Sequence, residues 1–168
     1  MPRGSRSQPD KYAQLLFACL TEAVANTYIQ LIIPLPVPRF GVSGNPYVFE
    51  IMRVWVTPIF ALNQAALTTV NVQLSTITQP AISFDDPRVF VRDISQTGFT
   101  TSGATTFQPC HEHDFTIGDR GLLIGTDNLY LGLDTGATTA VSSVHVEIYY
   151  RLTRVNANEF IGIVQSQT

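Results

Sequence analysis

The stretch Val144-His145-Val146-Glu147-Ile148-Tyr149-Tyr150-Arg151-Leu152-Thr153-Arg154-Val155 decides the fold. Val144, Val146, Ile148, Tyr150 and Leu152 share one side of an extended chain, and His145, Glu147, Tyr149, Arg151 and Thr153 share the other. That alternation is the period of a strand with one buried face. A single strand cannot bury such a row, so other segments must supply its partners and an opposing layer.

Working outward, candidate strands stand at 12–20, 26–33, 47–57, 68–78, 88–94, 99–107 and 122–133, with a shorter piece at 115–117. Pro34, Pro36 and Pro38 end the second of these and make 35–39 an edge or a polyproline-like crossing, because proline donates nothing to a ladder. The segment 47–57 is apolar on both sides, with Val48, Met52, Val54 and Val56 against Phe49, Ile51 and Trp55. It reads as a central strand, covered by the facing sheet on one side and by a neighbouring subunit on the other. Within it Glu50 and Arg53 fall on opposite faces and are not expected to pair. A polar knot at 110–114 and a turn at 118–121 interrupt the pattern. About eight strands spaced roughly 10–20 residues apart, with Gly, Pro and Asp between them, predict an all-β fold: a single antiparallel eight-stranded jelly-roll sandwich.

The 168 residues are enough for one domain, divided into a short basic arm over 1–11 and a sandwich over 12–168, with an apolar tail at 156–168. Charged residues are 14 % of the chain and hydrophobic ones 45 %. Roughly 25 % charge is usual for a soluble domain, so much of this surface is expected to be covered by partners. No run approaches the ~20 apolar residues of a membrane-spanning helix, so no membrane partner is expected. A net charge of −3 argues against a generic basic nucleic-acid-binding domain. Only the arm, with Arg3, Arg6 and Lys11 against Asp10, has the sign for phosphate contacts. Cys19 and Cys110 make no disulfide framework. The apolar run 13–20 followed by Ala23-Val24-Ala25 has the outline of a cleavable leader, which a lectin-like secreted sandwich would need. Asp10, Lys11 and Gln14 favour an opening strand instead.

The densest chemistry is Cys110-His111-Glu112-His113-Asp114. On a strand His111 and His113 point the same way, as two imidazoles on one metal do, and His145 is the third histidine of the chain. A cupin-like metalloenzyme would use them; a carboxylate at 117 or 118 is missing from that pattern. A solvated loop or subunit contact is the plainer reading. Asp85 and Asp86 suit a calcium ion between subunits, while Pro87 makes the same residues a capped turn. The chain has no nucleophile elbow, Walker loop or dinucleotide fingerprint. Trp55, Phe160, Ile161, Ile163 and Val164 are the expected subunit contacts.

Tyr150-Arg151-Leu152-Thr153-Arg154-Val155 followed by Glu159-Phe160-Ile161-Gly162-Ile163-Val164-Gln165-Ser166-Gln167 resembles the tail of capsid proteins of small circular single-stranded DNA viruses. Lys11-Tyr12-Ala13-Gln14, Asn26-Thr27-Tyr28, Ile33-Pro34-Leu35-Pro36-Val37, Glu50-Ile51-Met52-Arg53-Val54, Asp86-Pro87-Arg88, Thr100-Thr101-Ser102-Gly103 and Leu123-Ile124-Gly125-Thr126-Asp127 stand in the order of that family. The resemblance implies a non-enzymatic virion protein, a jelly roll that self-assembles into an icosahedral shell of about 60 copies around the genome. It carries no cofactor. Assembly would take place inside the host cell, with a host receptor as a further partner. Its arm is shorter than such arms usually are, so Arg3, Arg6 and Lys11 would hold single-stranded DNA only weakly.

Overall fold

The computed structural model describes residues 13–36, 45–60, 67–97 and 110–167. The basic arm and the expected strand at 99–107 lie outside them.

Two antiparallel sheets face one another. The first contains β1 (Gln14–Thr21), β9 (Ser143–Arg154), β3 (Tyr47–Ile59) and, on the far side of β3, β6 (His111–Asp114) and β7 (Leu122–Ile124). The second runs β2 (Ile29–Pro34), β8 (Asn128–Gly136), β4 (Thr68–Ser75) and β5 (Val89–Thr97). The nested pairs β4 with β5, β3 with β6 and β7, β2 with β8, and β1 with β9 make one long hairpin rolled up on itself. This is the jelly roll. Nine strands lie among the described residues, and β6 and β7 share one place in the eight-place jelly-roll order, pairing with Arg53–Val56 and Phe49–Ile51 of β3 respectively.

The core lies between the sheets. β9 supplies Val144, Val146, Ile148 and Tyr150, all buried as the alternation predicts, and β8 opposes them with Leu129, Leu131 and Leu133. Each such side chain contributes about 1.5–3 kcal/mol of transfer free energy. Phe49 stacks on Tyr150 with ring centroids 4.0 Å apart.

Four expectations need correction. First, β3 does not keep one parity. A bulge between Ile51 and Arg53 inserts Met52, so Phe49 and Ile51 face the core before it and Val54 and Val56 after it. Second, 122–133 is not one strand, since the chain turns at 125–127 and crosses to the other sheet. Third, the knot at 110–114 is itself mostly strand, β6, and Phe115 follows it. Fourth, the tail forms a helix, α1 (Ala157–Gln167). Asn156 caps it, its Oδ1 accepting the Glu159 N–H at 2.8 Å, and Glu159 sits in the favourable first turn.

Candidate functional surface

The outward side of the first sheet is ordered in rows by strand register. One row runs Leu15, Tyr149, Arg53, Asp114, the next Phe17, Glu147, Trp55, Glu112, and the third Cys19, His145, Thr57. Phe17 is 65 % exposed, and Leu15 and Tyr149 are exposed beside it. Trp55 is half-buried, its ring edge-on to Tyr149 at 6.3 Å. Arg53 reaches both Glu112 and Asp114 at 3.5 Å, leaving Glu147 without a paired cation among the described residues. A depression of about 230 Å³ beside it is lined by Phe17, Ala18, Cys19, His145, Val146 and Glu147. The Cys19 thiol lies 3.6 Å from His145 Nε2.

The outward side of the second sheet is different in kind. Tyr28 OH receives hydrogen bonds from Gln30 and Gln73 and donates to the Gln79 carbonyl, and Gln73 also binds Ala81 and Ser83. The segment after β4 is thus tied down over its own sheet by amides. Asp86 anchors it: both oxygens are taken, by the Arg88 side chain and N–H and by Gln79, which hold its carboxyl well below the usual carboxylate range. Asp85 is exposed.

Glu50 is 1 % exposed yet fully partnered. Arg151 grips both its oxygens at 2.7 Å, the Gly121 N–H donates at 2.7 Å, and the Thr153 hydroxyl donates as well. Burial alone would raise its pKa; the Arg151, Gly121 and Thr153 hydrogen bonds outweigh this and lower it. Glycine is required at 121, because a Cβ there would sit 2.1 Å from the Ile51 carbonyl.

His111 and His113 do point the same way. Standing opposite Val56 and Val54, they enter the sandwich, where His111 Nδ1 meets Asp93 Oδ1 of β5 at 2.5 Å. Asp93 and Ser95 are 5 % and 6 % exposed, and among the described residues Asp93 Oδ2, Ser95 Oγ and His113 Nε2 are buried without partners. Burial holds the His113 pKa below its ordinary value, with Asp93 opposing and His111 adding to the shift. His145 lies on the opposite, outward face, so the three histidines do not converge. Among the described residues no group of three or more His, Cys, Asp or Glu side chains is placed to hold a metal ion. Asp93 and Ser95 went unnoticed in the sequence, although they continue the inward parity of Val89 and Val91, where a charge is itself a signal.

Of the tail residues, Ile163 and Val164 pack within the chain. A Cβ at Gly125 would lie 3.0 Å from the Val164 and 3.1 Å from the Ile163 side chain, so glycine there lets the helix seat closely. The Gln167 amide donates to the Leu123 carbonyl at 2.6 Å and accepts from the Gly125 N–H at 2.8 Å. Phe160 is half-buried and Ile161 exposed.

Among protein-family models and curated proteins, nothing matches the chain. Among solved structures it is similar to VP1 of Trichodysplasia spinulosa-associated polyomavirus, in a complex with GM1 oligosaccharide. Identity is 10 %, coverage 86 % of this chain and 95 % of that one, and the TM-score 0.46. It is also similar to a chain of Turnip Yellow Mosaic Virus, at 13 % identity, 89 % and 99 % coverage and a TM-score of 0.35. Overlaps this loose leave the functional reading to the chain's own residues.

Proposed function

We propose that the chain is a structural, non-enzymatic capsid subunit that assembles with copies of itself into a closed icosahedral shell around a nucleic-acid genome. The observation that carries this reading is a jelly roll left with large apolar side chains on its surface. Ile32 and Ile94 stand outward on the second sheet, Ile117 on the turn after β6, and Ile161 on α1. With only 14 % charged residues, such a subunit is poorly soluble alone and gains by burying these positions against neighbours. The order of family-like motifs in the sequence supports the same reading and its finer form, a small shell around single-stranded DNA. In that form Phe160 and Ile161 lie at subunit contacts, and Arg3, Arg6 and Lys11 reach the packaged phosphates. Velocity sedimentation and negative-stain electron microscopy of the purified chain test it. Closed particles of uniform diameter are expected; a monomer or small oligomer at all concentrations overturns it. Replacing Arg3, Arg6 and Lys11 with Ala should lower the nucleic acid in the particles without stopping assembly.

A further inference from the structure

We propose that Phe17, Glu147 and Trp55 form a slot for one arginine side chain, filled in the free subunit by Arg3 or Arg6 of the same chain. In the register across β1, β9 and β3 the two aromatic residues flank the carboxylate one strand away on either side. Adjacent strands lie ~4.8 Å apart, so the Phe17 and Trp55 backbone positions stand about 10 Å apart across Glu147. A planar guanidinium entering there lies against aromatic faces while pairing with the carboxylate, an arrangement that suits arginine better than lysine. The depression beside Phe17 and Glu147 provides the entry, and the contact with Tyr149 holds Trp55 in place.

Charge chooses the occupant. Among the described residues the face carries Glu112, Asp114 and Glu147 against Arg53, and of these carboxylates only Glu147, in the slot, has no paired cation. Phosphates are repelled from it. A second copy docked face to face about a two-fold axis would bring Glu147 towards Glu147, burying like charges. The arm has the opposite sign. It also starts in the right place: twelve residues precede Ala13, and β1 enters this sheet at Gln14, beside the row of Leu15, Tyr149 and Arg53. Extended, twelve residues reach roughly 40 Å, whereas the four strand positions of the sheet span about 15 Å. Trp55, expected from the sequence to be a subunit contact, lies under the arm in this arrangement.

Trp55 is the only tryptophan of the chain and reports on the slot directly. Acrylamide quenching is measured on nucleic-acid-free single subunits, isolated by sedimentation. Stacking plus an ion pair holds the slot filled by a factor of about 10, so Arg3→Ala with Arg6→Ala should raise the quenching constant about twofold. Glu147→Gln should do the same with the arm intact, and a peptide of residues 1–11 should restore protection to a chain lacking them. Unchanged quenching in the double-arginine variant overturns the assignment. So does protection that vanishes on dilution, which would give the slot to another copy's arm. The measurement needs only folded subunits, so it stands or falls apart from shell formation.

Discussion

Two buried polar clusters border β3, one beside the stretch before its bulge and one beside the stretch after it, and they are built to opposite standards. Beside β7, Glu50 has every oxygen engaged by Arg151, Gly121 and Thr153. Beside β6, among the described residues, His111 and Asp93 make one contact and three neighbouring polar atoms have none. A carboxylate satisfied in this way is structural, since a full set of charge-assisted hydrogen bonds offsets its desolvation. A half-satisfied cluster is a local weakness, because unpaired groups bear the whole cost of leaving water. The shared strand position makes the contrast legible. β7 and the turn before it are locked onto β3, while β6 is a short edge strand closed over imidazoles.

Removing Arg151 breaks the first cluster and gives the largest effect. Arg151→Met strands the Glu50 charge in the interior and should cost about 3–5 kcal/mol in urea unfolding. Adding Glu50→Leu should recover most of that loss, because a buried pair replaced as a whole is often nearly neutral. A loss under about 1 kcal/mol in the single variant would mean that Gly121 and Thr153 suffice to hold Glu50. The pH dependence has a fixed sign. A folded pKa below the ordinary 4.5 means that the stabilisation is complete above that value and is lost as pH falls through the folded pKa.

These clusters also mark how far the sequence could be read. The alternation in β9, the Leu129, Leu131 and Leu133 row and the turn residues between strands were enough for a two-sheet antiparallel fold, because period 2 survives wherever one face is buried. Parity failed in β3. A bulge leaves no residue signature of its own, so Glu50 and Arg53, expected on opposite faces, in fact share the outward face, and their true partners, Arg151 and the acids of β6, could not be found. Helix α1 was hidden for another reason. Ile161, Gly162, Ile163 and Val164 are poor helix formers, and only Asn156 with Glu159, the cap and its first-turn acid, announced it. Of the candidate surface, Trp55 was singled out; Phe17 and Glu147 became its neighbours only through the pairing of distant strands. The shared direction of His111 and His113 was readable, but Asp93 opposite them required the second sheet.

The second cluster predicts a smaller effect. His113 is held below 6.5, so the unfolded chain takes up its proton first, and stability falls as pH drops from 6.5 through the folded pKa. Urea midpoints at pH 7.5 and 5.5 should therefore differ, and His113→Leu, which removes a buried unpartnered nitrogen, should reduce that difference. At pH 7.5 the variant should lie within about 1 kcal/mol of the parent, since deleting an orphaned polar group forfeits no bond. An equally steep pH response in His113→Leu would assign the acid sensitivity elsewhere and remove the contrast with Glu50.

The smallest effect belongs to the far edge of β7. There the Gln167 side chain imitates a neighbouring strand, its amide satisfying Leu123 and Gly125 as a peptide group would, and the Thr76 hydroxyl donates to the Gln167 carbonyl. An uncovered edge is a template for unwanted pairing, so the helix end serves as its cover. Gln167→Ala should cost about 1 kcal/mol, because water reaches both freed groups. Hydrogen exchange at the Gly125 amide should quicken while exchange at Phe49 and Ile51 in β3 stays slow. Unchanged exchange at Gly125 would show that Ile163 and Val164 hold α1 in place without the latch. Exchange that quickened through β3 as well would make the latch part of the same locked unit as Glu50, extending the well-satisfied side of the strand to the end of the chain.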